Sequence, residues 1–408
     1  YFSGLFKKEV SNELIHNIWL GAEAALAKCE TEKERKVIKA IAVIQIVNKE
    51  DEIIANEKYL SLAIYEQVVA DAIESLINRQ VIYAKGSTGA LIFKTKAGTV
   101  LRTEIKRQRE IKGDSVNFSR MLGMISDKHF VIPRKYNTIH AMTRYFRFEY
   151  MDVDTFLSIS SARAFFEELD NSDGKVICLY SFSATKQSNV KKHLKELNCD
   201  RLIVVAPTQK ITTIKQIKEY EILHDIQNNQ EFLANNEVVK KEIILLEEDI
   251  VTIVMEQLSQ IYVDDASCQV FYFDGNKTIT YSANCEEEAV NDSCEKVFCK
   301  SPLINNEIIN RAVIGTAQTK KARINIISEI LSSRGNVEKA FYEGTNQEAT
   351  IYRSLFERTG VLNGATEKNL KEILDIMNEF IDSCCDKRVP LKELITKVTS
   401  EPHGMRLG

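Results

Sequence analysis

Two uninterrupted apolar runs constrain the fold of this chain more than any other feature. They are residues 175–182 (KVICLYSF) and 202–206 (LIVVA). Strands that are covered on both faces have this continuous pattern, whereas strands with one solvated face alternate apolar and polar residues. Between the runs, residues 186–198 form a Lys-rich amphipathic segment with helical spacing. The order strand, helix, strand predicts a parallel α/β unit in the middle of the chain.

Composition sets the class of protein around this unit. The 408 residues include only 16 Gly and 5 Pro, against usual shares of roughly 7% and 5%. This shortage excludes collagen-like, linker-like and Pro-rich disordered chains. Hydrophobic residues make up 44% of the chain and charged residues 27%, which is ordinary for a globular protein. The sequence predicts a helix-rich α+β fold with several domains.

The predicted helices and strands fall into three blocks. Residues 1–126 are predicted to form a helical and winged-helix domain, residues 127–283 an α/β domain with a long helical hairpin, and residues 284–408 a helical domain. A length of 408 residues agrees with this division, since domains average about 150 residues.

The first block has the element order of a winged helix. Helical patterns precede two short β-rich runs, residues 81–85 and 90–93, which a Gly-containing turn joins. Thr31 and Glu34 have the spacing of a capping box at the start of one helix.

A winged helix raises the question of DNA binding. The helix before the hairpin would enter the major groove, yet its predicted exposed positions sum to a charge of −1: Asp71, Glu74, Ser75, Asn78 and Arg79. A basic stretch follows, and its candidate nucleic-acid contacts are Lys94, Lys96, Arg102, Lys106, Arg107 and Arg109. Two interpretations stay open, a solvated surface beside the hairpin or a phosphate-binding segment.

The second and third blocks have clear helical and strand periods. Residues 214–226 and 239–261 predict two antiparallel helices, and residues 268–273 with 278–282 predict a terminal hairpin. In the third block, Ser301 before Pro302 is typical of a helix start. Further helices are predicted at residues 321–332, 347–359, 370–384 and 391–399.

The chain lacks the common catalytic motifs. No GxxxxGK[ST], HExxH, GxSxG or GxGxxG pattern occurs, and the six His are scattered singly. The nine Cys include no CxxC pair and several fall in apolar stretches, which indicates thiols in a reducing cytosol rather than disulfides. We therefore predict no catalytic residue and no metal site in this chain, and a cytoplasmic location. A net charge of −4 and the lack of a membrane-length apolar run predict no membrane partner.

One metal-dependent alternative is a nuclease. Asp173 and Lys175 precede and begin an apolar strand, and Glu149 could lie on a neighbouring strand. Two carboxylates and a Lys can hold a divalent metal and polarise a phosphodiester. Asp173 with Gly174 is equally typical of an ordinary turn.

Polar residues beside predicted strands and helices form a second group of candidates. Arg144 lies in a polar run before a strand, and Asn306, Asn310 and Arg311 are close together in the third block. A planar guanidinium suits the phosphate of a nucleotide on a neighbouring subunit. The alternative is that these side chains cap helices and join blocks.

Four stretches of the chain resemble a known family. They are residues 133–150 (PRKYNTIHAMTRYFRFEY), 301–323 (SPLINNEIINRAVIGTAQTKKAR), 348–360 (EATIYRSLFERTG) and 401–408 (EPHGMRLG). These four motif stretches are similar to parts of large bacterial P-loop ATPases from phage-defence islands, of the bacteriophage-exclusion and phage-growth-limitation type. The resemblance places the chain downstream of an ATPase core and adds Arg323 to the nucleotide-proximal or inter-domain candidates.

The resemblance implies a regulatory and assembly segment that couples ATP state to a partner or a nucleic acid. It implies that this chain holds no cofactor, while ATP and Mg bind the full-length protein. The expected partners are the upstream ATPase domain, further copies or other defence proteins, and DNA or RNA. The chain opens at Tyr1 without an initiator Met and stops at Gly408, which we interpret as an internal piece of a longer protein. A winged-helix nucleic-acid-binding module is the alternative function.

Overall fold

The chain has a helix-rich α+β architecture. The computed structural model describes residues 13–47, 53–64, 69–84, 89–93, 96–113, 115–166, 171–233, 237–263, 266–312, 315–385 and 387–406. They are grouped into two compact units. Unit 1 comprises Tyr1–Ser126 and Thr212–Leu258, and unit 2 comprises Asp127–Ile211 and Ser259–Gly408. The prediction of a helix-rich α+β fold is confirmed at this level.

Helices supply most of the secondary structure. In chain order they are α1 (Glu13–Leu26), α2 (Glu32–Val47), α3 (Glu57–Ile64), α4 (Ala70–Asn78), α5 (Lys96–Lys112), α6 (Phe118–Ser126), α7 (Arg134–His140), α8 (Val153–Ser158), α9 (Gln187–Leu197), α10 (Ile214–Gln227), α11 (Gln230–Leu233), α12 (Glu237–Tyr262), α13 (Glu286–Val297), α14 (Ala317–Ser332), α15 (Lys339–Tyr342), α16 (Gln347–Tyr352), α17 (Lys368–Ser383) and α18 (Leu391–Thr399). A π-helical turn, Arg353–Glu357, continues α16. No helix within the described ranges is both long enough and apolar enough to cross a bilayer.

The strands form two sheets. They are β1 (Ile82–Ala84), β2 (Leu91–Phe93), β3 (Phe130–Val131), β4 (Phe146–Asp152), β5 (Gly174–Tyr180), β6 (Leu202–Pro207), β7 (Cys268–Phe273) and β8 (Thr278–Tyr281). Strands β1 and β2 pair as an antiparallel hairpin, while β3 to β8 form a six-stranded sheet in sequence order.

Unit 1 encloses an apolar core between α1 to α4 and the β1–β2 hairpin. Ile38, Ile41 and Leu76 are fully buried there. The predicted capping box is confirmed, because Glu34 N donates to Thr31 Oγ1 (3.1 Å) and Thr31 N donates to Glu34 Oε2 (3.3 Å). Together these bonds satisfy two of the amides that a helix start leaves without partners.

The second part of unit 1 comes from later in the chain. Helix α10 and most of α12, which the sequence places in the middle block, belong to the same unit as residues 1–126. Lys112 at the end of α5 forms ion pairs with Glu221 and Asp225 on α10. The two units are a coarser division than three blocks, so the boundaries at 126/127 and 283/284 stay a prediction.

The sheet of unit 2 confirms the predicted strand–helix–strand unit. Strands β5 and β6 are parallel, with Val176 opposite Ile203, and α9 connects them. Every residue of both strands is buried, as their continuous apolar runs indicate. The predicted hairpin is also confirmed, since β7 and β8 pair antiparallel.

The predicted helix after Ser301 is wrong. Residues 301–312 contain no helix, although they are fully described. The reason lies in two Asn side chains. Asn306 Oδ1 accepts from the Ile308 amide (2.9 Å), and Asn310 Nδ2 donates to the Ile304 carbonyl (2.6 Å). These local bonds offer the backbone an alternative to the helical ladder.

Candidate functional site

A buried polar group of unit 2 is built around Asp173. Its Oδ1 accepts from Arg144 Nη1 (2.6 Å), and its Oδ2 accepts from Arg406 Nη2 (2.6 Å). The Tyr145 amide also donates to Oδ2 at 3.2 Å. The side chains of Arg144, Asp173 and Arg406 are only 1%, 5% and 10% exposed. We call these three residues the Asp173 cluster.

The parallel pairing of β4 and β5 brings the first two members together. Arg144 precedes β4 and Asp173 precedes β5, and Phe146 lies opposite Gly174 in the register. Gly174 permits this approach, because a Cβ there would lie 2.4 Å from the Phe146 ring and 2.6 Å from the Arg201 carbonyl oxygen. The starts of the two strands therefore place a cation and an anion side by side.

The carboxyl-terminal segment, residues 401–406, supplies further contacts. Arg144 Nη2 donates to the Gly404 carbonyl (2.6 Å), and Arg406 Nη2 also donates to the Thr143 carbonyl (2.9 Å). The Arg144 guanidinium lies 3.6 Å from the centroid of the Phe298 ring. Arg144 and Arg406 thus both join residues 401–406 to the starts of β4 and β5.

The cluster carries more positive than negative charge. Two guanidinium groups share a single carboxylate, and Arg144 Nε and Arg406 Nε are buried without a hydrogen-bond partner among the described residues. Burial, and after it the Arg144 charge, lowers the pKa of nearby His140. The Arg144 contribution agrees with an excess positive charge at the cluster, whereas burial disfavours a charge of either sign.

An apolar cavity of about 300 Å³ lies beside the cluster. Its lining residues are Met142, Pro302, Ile304, Ile309, Asn310, Gly315, Thr319, Lys320, Arg323, Ile326, Ile327, Ile351, Leu355, Phe356, Met405 and Arg406. All of them except Ile326 and Ile327 belong to the four motif stretches. Among the described residues, its lining contains three cationic side chains and no carboxylate.

The nucleotide-proximal or inter-domain candidates fall into two groups. Arg144, Asn306 and Asn310 are buried inside unit 2. Asn306 Nδ2 donates to Ser354 Oγ (2.8 Å) and Asn310 Nδ2 to the Ala141 carbonyl (3.1 Å), so both amides join separate motif stretches.

The other two candidates, Arg311 and Arg323, are exposed, and Arg323 lines the cavity. A nucleotide-proximal role stays a prediction for all five.

The three residues of the nuclease alternative lie in two ion-paired groups. Asp173 accepts from two guanidinium groups, whereas Lys175 Nζ lies 3.2 Å and 3.3 Å from the two carboxylate oxygens of Glu149. A metal at Asp173 would have to displace an arginine. Among the described residues, no three His, Cys, Asp or Glu side chains cluster as metal ligands.

The basic stretch is partly offset by acidic neighbours. Lys94 lies outside the described residues, and Lys96 begins α5. Four further candidates are exposed on α5, namely Arg102, Lys106, Arg107 and Arg109.

Three of these four basic side chains have partners within unit 1. Arg107 forms an ion pair with Glu104, and Arg109 Nη2 lies 3.6 Å from Glu219 Oε2. The Arg102 guanidinium lies 4.9 Å from the centroid of the Tyr83 ring. Internal acids therefore reduce the field that a phosphate backbone would encounter.

Sequence reasoning missed two members of the site. Arg406 and Lys320 were not candidates, although both lie in motif stretches. Asp173 was considered only as a turn residue or a metal ligand. The signal that could have found Arg406 is a cation two residues after Gly404 in the fourth motif stretch.

Comparison of the chain with protein-family models, curated proteins and solved structures finds no match. The function is therefore inferred from the residues and from the geometry of unit 2.

Proposed function

We propose that this chain is a regulatory and assembly segment of a large cytoplasmic bacterial P-loop ATPase in anti-phage defence. An upstream domain would bind ATP and Mg, and this segment would couple the nucleotide state to a partner or a nucleic acid. The four motif stretches carry the resemblance to that family.

One observation supports the proposal most: the four motif stretches meet in unit 2. Arg144 of the first stretch binds the carbonyl of Gly404 in the fourth, at 2.6 Å. Asn310 of the second stretch binds the carbonyl of Ala141 in the first, at 3.1 Å. Asn306 of the second binds Ser354 of the third, at 2.8 Å. These hydrogen bonds join stretches that are far apart in sequence, and all four stretches line one cavity. This arrangement is consistent with a single functional region.

The finer architecture belongs to the same proposal. Helices α2 to α4 followed by the β1–β2 hairpin support a winged-helix-like first block. The parallel β4–β5–β6 core with α10 and α12 supports an α/β middle block with a helical hairpin, and α13 to α18 support a helical third block.

Exposure decides which arginines could act on a nucleotide in this arrangement. Arg311 and Arg323 are exposed, so they are the candidates for contact with a phosphate or a neighbouring subunit. Arg144 is 1% exposed and pairs with Asp173, so its part is to join the segments of unit 2.

The test is ATP hydrolysis and assembly of the full-length protein with Arg311→Ala and Arg323→Ala. We expect a loss of turnover of tenfold or more for an arginine that contacts a transferring phosphate, since such fingers contribute roughly 10³–10⁵ in rate. Arg334→Ala is the matched control, because Arg334 is exposed and lies outside the four motif stretches. Normal turnover and normal assembly in both variants would reject the nucleotide role.

A winged-helix nucleic-acid-binding module is the second candidate. The observation that favours it is the exposure of Arg102, Lys106, Arg107 and Arg109 on α5. We expect binding to duplex DNA that weakens as salt rises and is lost in the Arg107→Gln/Arg109→Gln variant. No binding at low salt would remove this candidate.

A further inference from the structure

We propose that the cavity of unit 2 is a binding site for a small amphipathic anion. The apolar body of the ligand would occupy the cavity, and its carboxylate or phosphate head would lie against Lys320, Arg323 and Arg406. This inference goes beyond the proposed ATPase role and does not depend on it.

Size and lining fit such a ligand. The volume of about 300 Å³ lies at the lower end of the range of roughly 300–1,000 Å³ for small-molecule sites. Most of the lining is aliphatic or aromatic, including Met142, Ile309, Leu355 and Phe356. Apolar walls with a few convergent polar groups are typical of ligand sites.

The charges in the lining have one sign. Lys320 and Arg323 are three residues apart on α14 and both reach the cavity, so they lie on one face of that helix. Arg406 is the third cation, and no Asp or Glu of the described part of the chain lines the cavity. A ligand with an anionic head meets attraction there from three side chains, whereas a cation meets repulsion.

Arg406 supplies a second, independent indication. Its side chain is only 10% exposed, yet its Nε is buried and has no hydrogen-bond partner in the described part of the chain. It must also share Asp173 with Arg144, which leaves the Asp173 cluster with an excess positive charge. A buried donor without a partner is costly, and an anion in the adjacent cavity would supply both the acceptor and the missing charge.

The probe pair for this site is 8-anilinonaphthalene-1-sulfonate and its neutral counterpart N-phenyl-1-naphthylamine. They share an apolar body and differ in the sulfonate. We expect saturable fluorescence enhancement with the sulfonate and affinity at least about tenfold weaker for the neutral probe, since a charge-assisted head-group contact contributes this much or more.

Substitutions separate the head-group contacts from the apolar body. Lys320→Gln/Arg323→Gln should weaken the sulfonate about tenfold and leave the neutral probe unchanged. Both side chains are exposed, so this variant is expected to fold.

Ile327→Trp should abolish binding of both probes by filling the cavity from its rim. Ile324→Trp is the matched control, since Ile324 is on the same helix but does not line the cavity. Circular dichroism verifies that each variant is folded.

Competition identifies the head group. Displacement of the sulfonate probe by decanoate assigns a carboxylate ligand, and displacement by decyl phosphate assigns a phosphate ester. The proposal is overturned if neither competes, if the probe does not saturate, or if the Ile327→Trp and Ile324→Trp variants bind it equally.

Discussion

The two units each bury a carboxylate, and they neutralise it differently. In unit 1, Glu34 accepts from Arg79, from Ser75 Oγ (2.9 Å) and from the amides of Glu30 (2.7 Å) and Thr31 (3.3 Å). In unit 2, Asp173 accepts from two arginines and one amide. Glu34 is hydrogen-bonded to one cation, whereas Asp173 is hydrogen-bonded to two.

This difference separates a structural carboxylate from one beside a candidate binding site. Burial alone would raise the pKa of Glu34, but its hydrogen bonds, first of all that from Arg79, lower the pKa to about 2. The negative charge of Glu34 is neutralised by Arg79 within unit 1. Around Asp173 one positive charge remains, and the adjacent cavity gives an anion access to it. A local surplus of positive charge is therefore the feature that distinguishes the Asp173 cluster from the Glu34 site.

The largest expected effect is that of Asp173→Asn. The change leaves two buried guanidinium groups without an anion, and removal of one partner from a buried ion pair costs about 3–5 kcal/mol. Hydrogen exchange of β5 peptides in unit 2 measures the loss. Asp127→Asn is the control, because the Asp127 side chain is 91% exposed. If Asp173→Asn lowers the free energy of unfolding no more than Asp127→Asn does, the two arginines do not depend on the Asp173 carboxylate.

Gly404→Ala tests how tightly the carboxyl-terminal segment closes on Arg144. Gly404 has φ +58°, and a Cβ there would lie 2.4 Å from the Phe298 ring and 2.5 Å from Arg144 Nη2. Backbone strain and overpacking together should cost roughly 2–4 kcal/mol. Gly335→Ala is the matched control, since Gly335 also has a positive φ of +85° but nothing within 4 Å of the added atom. Urea unfolding compares the two, and equal costs would show that the segment is loosely held.

Glu34→Gln should destabilise unit 1 by about 1–3 kcal/mol, because Arg79 loses its buried charged acceptor and keeps the exposed Glu30. The pKa of Glu34 is lowered on folding to about 2. Its contribution is therefore present above its unfolded pKa of about 4.3 and is lost as the pH falls through its folded value.

The single Trp of the chain, Trp19 in α1, reports on unit 1 by fluorescence. The difference in stability between wild type and Glu34→Gln should shrink from pH 5 downward. A difference that does not depend on pH would contradict the assignment.

Thr31→Ala should have the smallest effect of the four. It removes the acceptor of the Glu34 amide but leaves the ion pair with Arg79, and loss of an N-cap side chain costs about 1 kcal/mol. Urea unfolding followed by Trp19 fluorescence measures it, with Thr31→Ser as the control that keeps the hydroxyl. A cost as large as that of Glu34→Gln would show that the cap and the ion pair are one coupled unit.

Local sequence patterns predicted local structure well. The capping box needed only the spacing of Thr31 and Glu34. The parallel pair β5 and β6 needed only the two apolar runs and the helical segment between them. The error after Ser301 has a local cause as well, because Asn306 and Asn310 use their side chains in place of helical hydrogen bonds.

Local sequence patterns could not predict the Asp173 cluster. Asp173 lies 29 residues from Arg144 and 233 residues from Arg406, and no periodicity relates positions so far apart. The motif stretches indicated that Arg144 mattered, but not that it would be buried against an anion. Three-dimensional pairing was needed to show that these stretches share one cavity.

The contact between Arg406 and Asp173 has a kinetic consequence. It closes a loop of 233 residues, and closure of long loops must be completed before the contact contributes any stability. The strands of unit 2 can pair while Asp173 still faces only Arg144. The anchoring of residues 401–406 is therefore expected to be a late step of folding, and the cavity that they help to line should form only then.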